Sequence, residues 1–132
     1  TNHTGLGAGT YQVAIRDAAH TDCEIDLDGV NGTVIDEPVV LSATVTPSDV
    51  TCNSGSDGSI VITNAAGGSL SYEYTINGGT TWSTTTNHTG LGAGTYQVAI
   101  RDAAHTDCEI DLDGVNGTVI DEPVVLSATV TP

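Results

Sequence analysis

Residues 1–47 and residues 86–132 are identical, letter for letter, at an offset of 85 positions. The chain is therefore about one and a half copies of a tandem repeat. A period of that length is a whole small domain rather than a solenoid turn. Copies this exact point to an array, in which length, stiffness or multivalency matters, and an enzyme has no obvious need for one. One period can bury one modest core.

Composition narrows the fold. There is no Met, Phe or Lys, Gly is abundant at 16, and Thr, Val and Ile dominate the apolar and β-branched positions, which favours strands and turns over helices. No run approaches the roughly 18 apolar residues of a membrane span, and no leader peptide is visible in a sequence that opens mid-repeat. The net charge is −15, with Arg16 and Arg101 the only strong cations. Such a surface repels nucleic acid and acidic membranes and suits solubility or divalent cations. The carboxylates are uneven: Asp49, Asp57 and Glu73 stand alone between Pro38 and Arg101, whereas seven fall between Asp102 and Glu122.

The three cysteines become regular once the period is applied. Cys23 and Cys108 are one position seen twice, and Cys52 is a second position seen once. A Cys52–Cys108 disulfide is expected, with Cys23 pairing with the preceding half-repeat. Closing such a loop stabilises by roughly 4 kcal/mol in the chain-entropy model. A small acidic domain with a disulfide reads as extracellular. The alternative is a pair of buried free thiols.

Asp36-Glu37-Pro38 recurs as Asp121-Glu122-Pro123 and marks the boundary, since proline fixes φ and stiffens a junction. Residues 1–37 then form the second half of one repeat, 38–122 a complete repeat, and 123–132 the first strand of the next. Within the complete repeat, Val39 to Thr46 alternates with Leu41, Ala43 and Val45 on one face, and Pro47 to Gly58 is turn-rich. Ser59 to Thr63 turns Ile60 and Ile62 inward, and Leu70, Tyr72, Tyr74 and Ile76 share a parity. Asn77-Gly78-Gly79 is a hairpin signal. Thr81 to Thr85 carries Trp82, Thr95 to Arg101 turns Tyr96, Val98 and Ile100 inward, and Cys108, Ile110 and Leu112 alternate with acids. A last strand covers Thr118 to Asp121. About seven short strands without a helical period predict an all-β antiparallel sandwich. Leu91 to Val98, like its copy around Tyr11, has the form of a tyrosine corner, in which Tyr96 bonds back to the upstream turn.

Val50-Thr51-Cys52-Asn53, Asp57-Gly58-Ser59-Ile60, Tyr74 to Gly79, Gly90 to Tyr96, Asp102 to Cys108 and the closing Glu122-Pro123 together resemble the SprB repeat. The resemblance covers the whole 85-residue unit. It implies an Ig-like sandwich and export to the cell surface of Bacteroidota, often by type IX secretion. It also implies a place in a long array, as in gliding-motility adhesins, but no ligand. About four residues around Asp113-Gly114-Val115-Asn116 are extra to the family pattern, which makes that segment a candidate for a local role.

Several constellations could carry chemistry. Glu109, Asp111 and Asp113, followed by Gly114, open like an EF-hand loop, with Asp121 and Glu122 near the far end. The competing reading is a plain strand, on which the three carboxylates stand roughly 6.8 Å apart and cannot wrap one ion. A second calcium possibility places Asp57, Asp102, Asp107, Asp121 and Glu122 in loops that converge at the domain junction. The bland counterpart is a solvated acidic surface, and no cofactor is required. His88 and His105, copies of His3 and His20, lie in turns without the three-ligand spacing of zinc. No nucleophile elbow or phosphate loop is present. The four Asn-X-Thr sequences at Asn2, Asn31, Asn87 and Asn116 read as turns or coincidence in a bacterial chain.

Two functions follow from the sequence. The first is a structural extender of a giant surface adhesin or extracellular filament, held straight at Pro38 and Pro123 and partnered by neighbouring copies of itself. Such copies could share strands where a half-core is left open. The second is a weak glycan- or surface-binding module acting by avidity, with Trp82, Tyr72 and Tyr74 as its platform. An enzyme is not expected, nor nucleic-acid binding or membrane insertion.

Overall fold

The computed structural model covers residues 1–132. It divides into two compact units, Thr1–Pro38 and Val39–Pro132. All regular structure is β apart from two single turns of 3-10 helix, Gly29–Asn31 and Gly114–Asn116.

The first unit holds β1 (Gly9–Tyr11), β2 (Ala14–Arg16), β3 (Glu24–Asp26) and β4 (Thr33–Ile35). They pair as two antiparallel ribbons, β1 with β4 and β2 with β3.

The second unit is an antiparallel, immunoglobulin-like β-sandwich. Its strands are β5 (Ser42–Ser48), β6 (Gly58–Ala66), β7 (Tyr72–Thr75), β8 (Asn87–Leu91), β9 (Gly94–Tyr96), β10 (Ala99–Asp102), β11 (Glu109–Asp111) and β12 (Thr118–Ile120). One sheet runs β5-β6-β8, a second β11-β10-β7, and β12-β9 forms a ribbon. Leu41, Val50, Ile60, Ile62, Tyr74, Val98, Ile100 and Ile120 close the core, with Ala43, Val45, Tyr72, Ile76, Ile110 and Leu112 packed against it. These are the apolar positions of period two, as burial on one face of each strand requires.

Three details differ from the sequence pattern. Leu70 is exposed, because it takes a left-handed φ of 65° in the turn ahead of β7. Thr81 to Thr85 forms no strand beyond a bridge between Tyr74 and Ser83, which closes the hairpin over Gly78 and Gly79 at φ 64° and 83°. The stretch Thr95 to Arg101 breaks at Gln97-Val98, where the chain leaves its partner β12 and joins β7 and β11.

The sandwich has two poles. The chain enters at Val39–Leu41, where the Gly68 amide donates to the Val39 carbonyl at 2.9 Å. Gly67 has φ 91°, and a Cβ there would run into the Val40 carbonyl, so the turn admits only glycine. The chain leaves at Asp121–Pro123, beside the 49–57 loop: Val50 N donates to the Asp121 carbonyl at 3.2 Å. β6, nine residues long, runs from the exit pole, where Ser59 faces Ser48, to the entry pole, where Ala66 faces Ser42. That is on the order of 25 Å.

Candidate functional site

The cysteines are placed by these poles. Cys52 lies in the exit-pole loop, where its carbonyl accepts from Gly55 N at 2.9 Å. The Cys108 carbonyl accepts from Asp102 N at 2.9 Å, and Asp102 belongs to the entry pole through Ser69. A disulfide needs Cα atoms within roughly 7 Å. The expected Cys52–Cys108 bridge is not formed, because the two stand at opposite ends of the sandwich. Cys23, Cys52 and Cys108 are free and exposed, which also overturns the reading as buried thiols.

The candidate calcium ligands are dispersed in the same way. Asp57 is at the exit pole, accepting from Thr51 N at 3.0 Å and Thr51 Oγ1 at 2.6 Å, and the Thr51 hydroxyl holds its carboxyl below the usual range. Asp102 and Asp107 are at the entry pole, and Asp121 and Glu122 at the exit. No three His, Cys, Asp or Glu side chains converge in a metal-binding group. Glu109 and Asp111 lie on β11, with Glu109 opposite Arg101, whereas Asp113 stands beyond the strand at the start of the 3-10 turn.

Asp111, Asp113 and Asp102 instead tie backbone. Asp111 Oδ1 accepts from Asp113 N and Gly114 N, bonds that lower its pKa. Asp113 Oδ2 accepts from Val98 N at 2.9 Å and Thr118 Oγ1 at 2.8 Å, so it clamps the β9–β10 break to β12. The segment Asp113-Gly114-Val115-Asn116 thus begins with a clamp. Asp102 is nearly buried, at 2% exposure. It accepts from Ser69 N and Oγ at 2.6 and 2.7 Å and from Ala104 N at 2.8 Å. The Ser69 hydroxyl is the largest cause holding its pKa down, at about 2. The Tyr96 hydroxyl donates to the Gly92 carbonyl at 3.0 Å, and Tyr11 to Gly7 at 2.9 Å, the bond that defines a tyrosine corner.

Tyr72, Tyr74 and Trp82 do not share an exposed face. Tyr74 is buried, Tyr72 packs on the core with its hydroxyl donating to the Gly67 carbonyl, and their parity faces inward. Trp82 is half-buried, with the Arg101 guanidinium 4.4 Å from its ring centroid. Arg101 also donates to Glu73 from Nε at 2.8 Å and from Nη2 at 2.6 Å. The only strong cation of the complete repeat is thus committed internally, a signal its uniqueness in the sequence could have raised.

Sequence reasoning missed the exit clasp. Asn53 Nδ2 donates to the Pro123 carbonyl at 3.1 Å, Ser54 N to Glu122 Oε2 at 2.7 Å, and Asp121 N to Asp49 Oδ1 at 2.8 Å. The proline junction at Pro123 is therefore gripped by the 49–54 loop. Residues 123–132 carry no strand, although the identical residues 38–47 lead into β5.

A closed β-sandwich whose exit is clasped and whose sequence recurs unchanged over residues 1–47 and 86–132 is a repeat module. The SprB repeat family model matches residues 44–81, and that family consists of repeat modules of large Bacteroidota surface proteins. No curated protein and no solved structure matches the chain. No helix is long and apolar enough to cross a membrane.

Proposed function

We propose that this chain is a length of stiff tandem array that extends a large secreted adhesin or extracellular filament outward from the cell surface. The observation that carries the reading is the exit clasp. Four hydrogen bonds between the 49–54 loop and Asp121, Glu122 and Pro123 hold the exit, so the junction leaves each bead in a defined direction. Proline at the junction removes a further rotational freedom. The −15 charge keeps neighbouring arrays apart and soluble. Where a second half of a repeat stands without its first half, the first half of another copy fits the same face, because the sequences are the same. Calcium enters this reading as a counter-ion to the acidic surface rather than as a framework ligand.

Electron microscopy of a multi-repeat array, with and without a calcium chelator, tests the reading. The expected result is a straight rod whose length grows by one increment per repeat and which ignores the chelator. Flexible beads in both conditions would overturn the extender role. Kinking on chelation would move the stiffness from the clasp to a bound ion.

A further inference from the structure

The exposed Cys52 and Cys108 stand at the exit and entry poles of one repeat. Cys52 is followed by Asn53, whose side chain holds the Pro123 carbonyl of the departing chain. The next residue, Val124, is by the repeat the counterpart of Val39. In the complete repeat the Val39 carbonyl accepts from Gly68 N, and Gly68 adjoins Ser69, which donates twice to Asp102. The Asp102 amide in turn donates to the Cys108 carbonyl. Reading those contacts along an array, the loop of Cys52 grips the residues before the junction. The turn beside the following repeat's counterpart of Cys108 grips the residue after it.

We propose that consecutive repeats are cross-linked by a disulfide between Cys52 of one repeat and the counterpart of Cys108 in the next. Two independent observations support it. The poles forbid the bond within one repeat, and both thiols are exposed without another partner. The oxidant is a low-molecular-weight disulfide. The Cys52 thiolate attacks one of its sulfurs and releases one thiol, leaving a mixed disulfide. The facing thiolate then attacks Cys52 Sγ and releases the second thiol. The two electrons and the leaving groups are thereby carried away by the reduced small molecule. The bond would fasten the junction that the clasp already orients. The proposal rests on the array reading.

The 132-residue chain and a chain lengthened by one whole 85-residue period separate the possibilities. Both are equilibrated in dilute oxidised and reduced glutathione, and thiols on the monomer are counted by alkylation and mass spectrometry. The shorter chain has no pair one junction apart, so all three cysteines remain unbridged. The longer chain loses two thiols to one bridge, and Cys52→Ser, at an exposed position, restores both. A bridge in the shorter chain, or none in the longer one, would overturn the proposal. Straight rods in electron microscopy with every thiol free would reject the bridge while leaving the array reading intact.

Discussion

Residues 1–35 and 86–120 share one sequence but not one environment, which makes the chain its own control. Their local architecture is the same. Gly9 pairs with Ile35 as Gly94 pairs with Ile120, and Asp28 takes Val13 N at 3.0 Å as Asp113 takes Val98 N at 2.9 Å. Both tyrosines bond four residues back. Burial is different. Ile100 is 0% exposed and Val98 1%, whereas Ile15 is 59% exposed and Val13 41%. The comparison teaches that turns and ribbons are written locally, while the core closes where residues 39–85 pack against residues 86–120. An open depression lined by Ile15, Arg16, Cys23 and Ile25 lies on the β2–β3 ribbon.

Paired substitutions can break or sharpen this contrast. The largest effect is expected at the core position. Ile100→Ala should destabilise the sandwich by about 2–5 kcal/mol in urea unfolding. Ile15→Ala should stay within about 0.5 kcal/mol. Equal losses would mean that the two copies are equally packed.

Acid comes next. The Asp102 carboxyl, depressed to about 2, contributes stability that is present above the unfolded value of about 3.9 and is lost as pH falls toward 2. Asp17 is lowered chiefly by the Ala19 amide and has no serine partner. Thermal unfolding followed from about pH 5 to 2 should therefore fall more steeply in the native chain than in Ser69→Ala. Parallel curves would remove Ser69 from the account.

Tyr96→Phe deletes one half-buried hydrogen bond and should cost about 1 kcal/mol, with Tyr11→Phe near zero by the same denaturation assay. The smallest effect belongs to the cations. Arg101→Ala should cost about 0.5–1 kcal/mol through the partly exposed Glu73 pair and the Trp82 stack, and should change Trp82 fluorescence. Arg16 has neither partner, so Arg16→Ala should do neither. An unchanged emission in Arg101→Ala would detach the guanidinium from the indole.

Much of the fold was legible because alternation reports burial on a sheet face. Leu41, Ile60, Ile62, Val98 and Ile100 all point as their parity required. Leu70 did not, since a left-handed turn residue leaves the strand whatever its parity. The alternation from Tyr96 through Ile100 hid the change of sheet, because inward-facing residues remain inward when the chain crosses from one partner strand to another. The candidate sites were less legible. Spacing shows which cysteines and acids recur, but not the pole at which each stands, and that depends on long-range pairing. Asn53 and Ser54 looked like turn residues and are, yet the exit of the chain happens to pass within their reach.

Amide exchange on the 132-residue chain, read by NMR with the two copies labelled separately, tests the central contrast most directly. The account predicts that Val98 and Ile100 exchange only through global unfolding, while Val13 and Ile15 exchange orders of magnitude faster. Equal protection of the two copies would contradict it, because residues 1–38 would then hold a closed core without a first half to complete it.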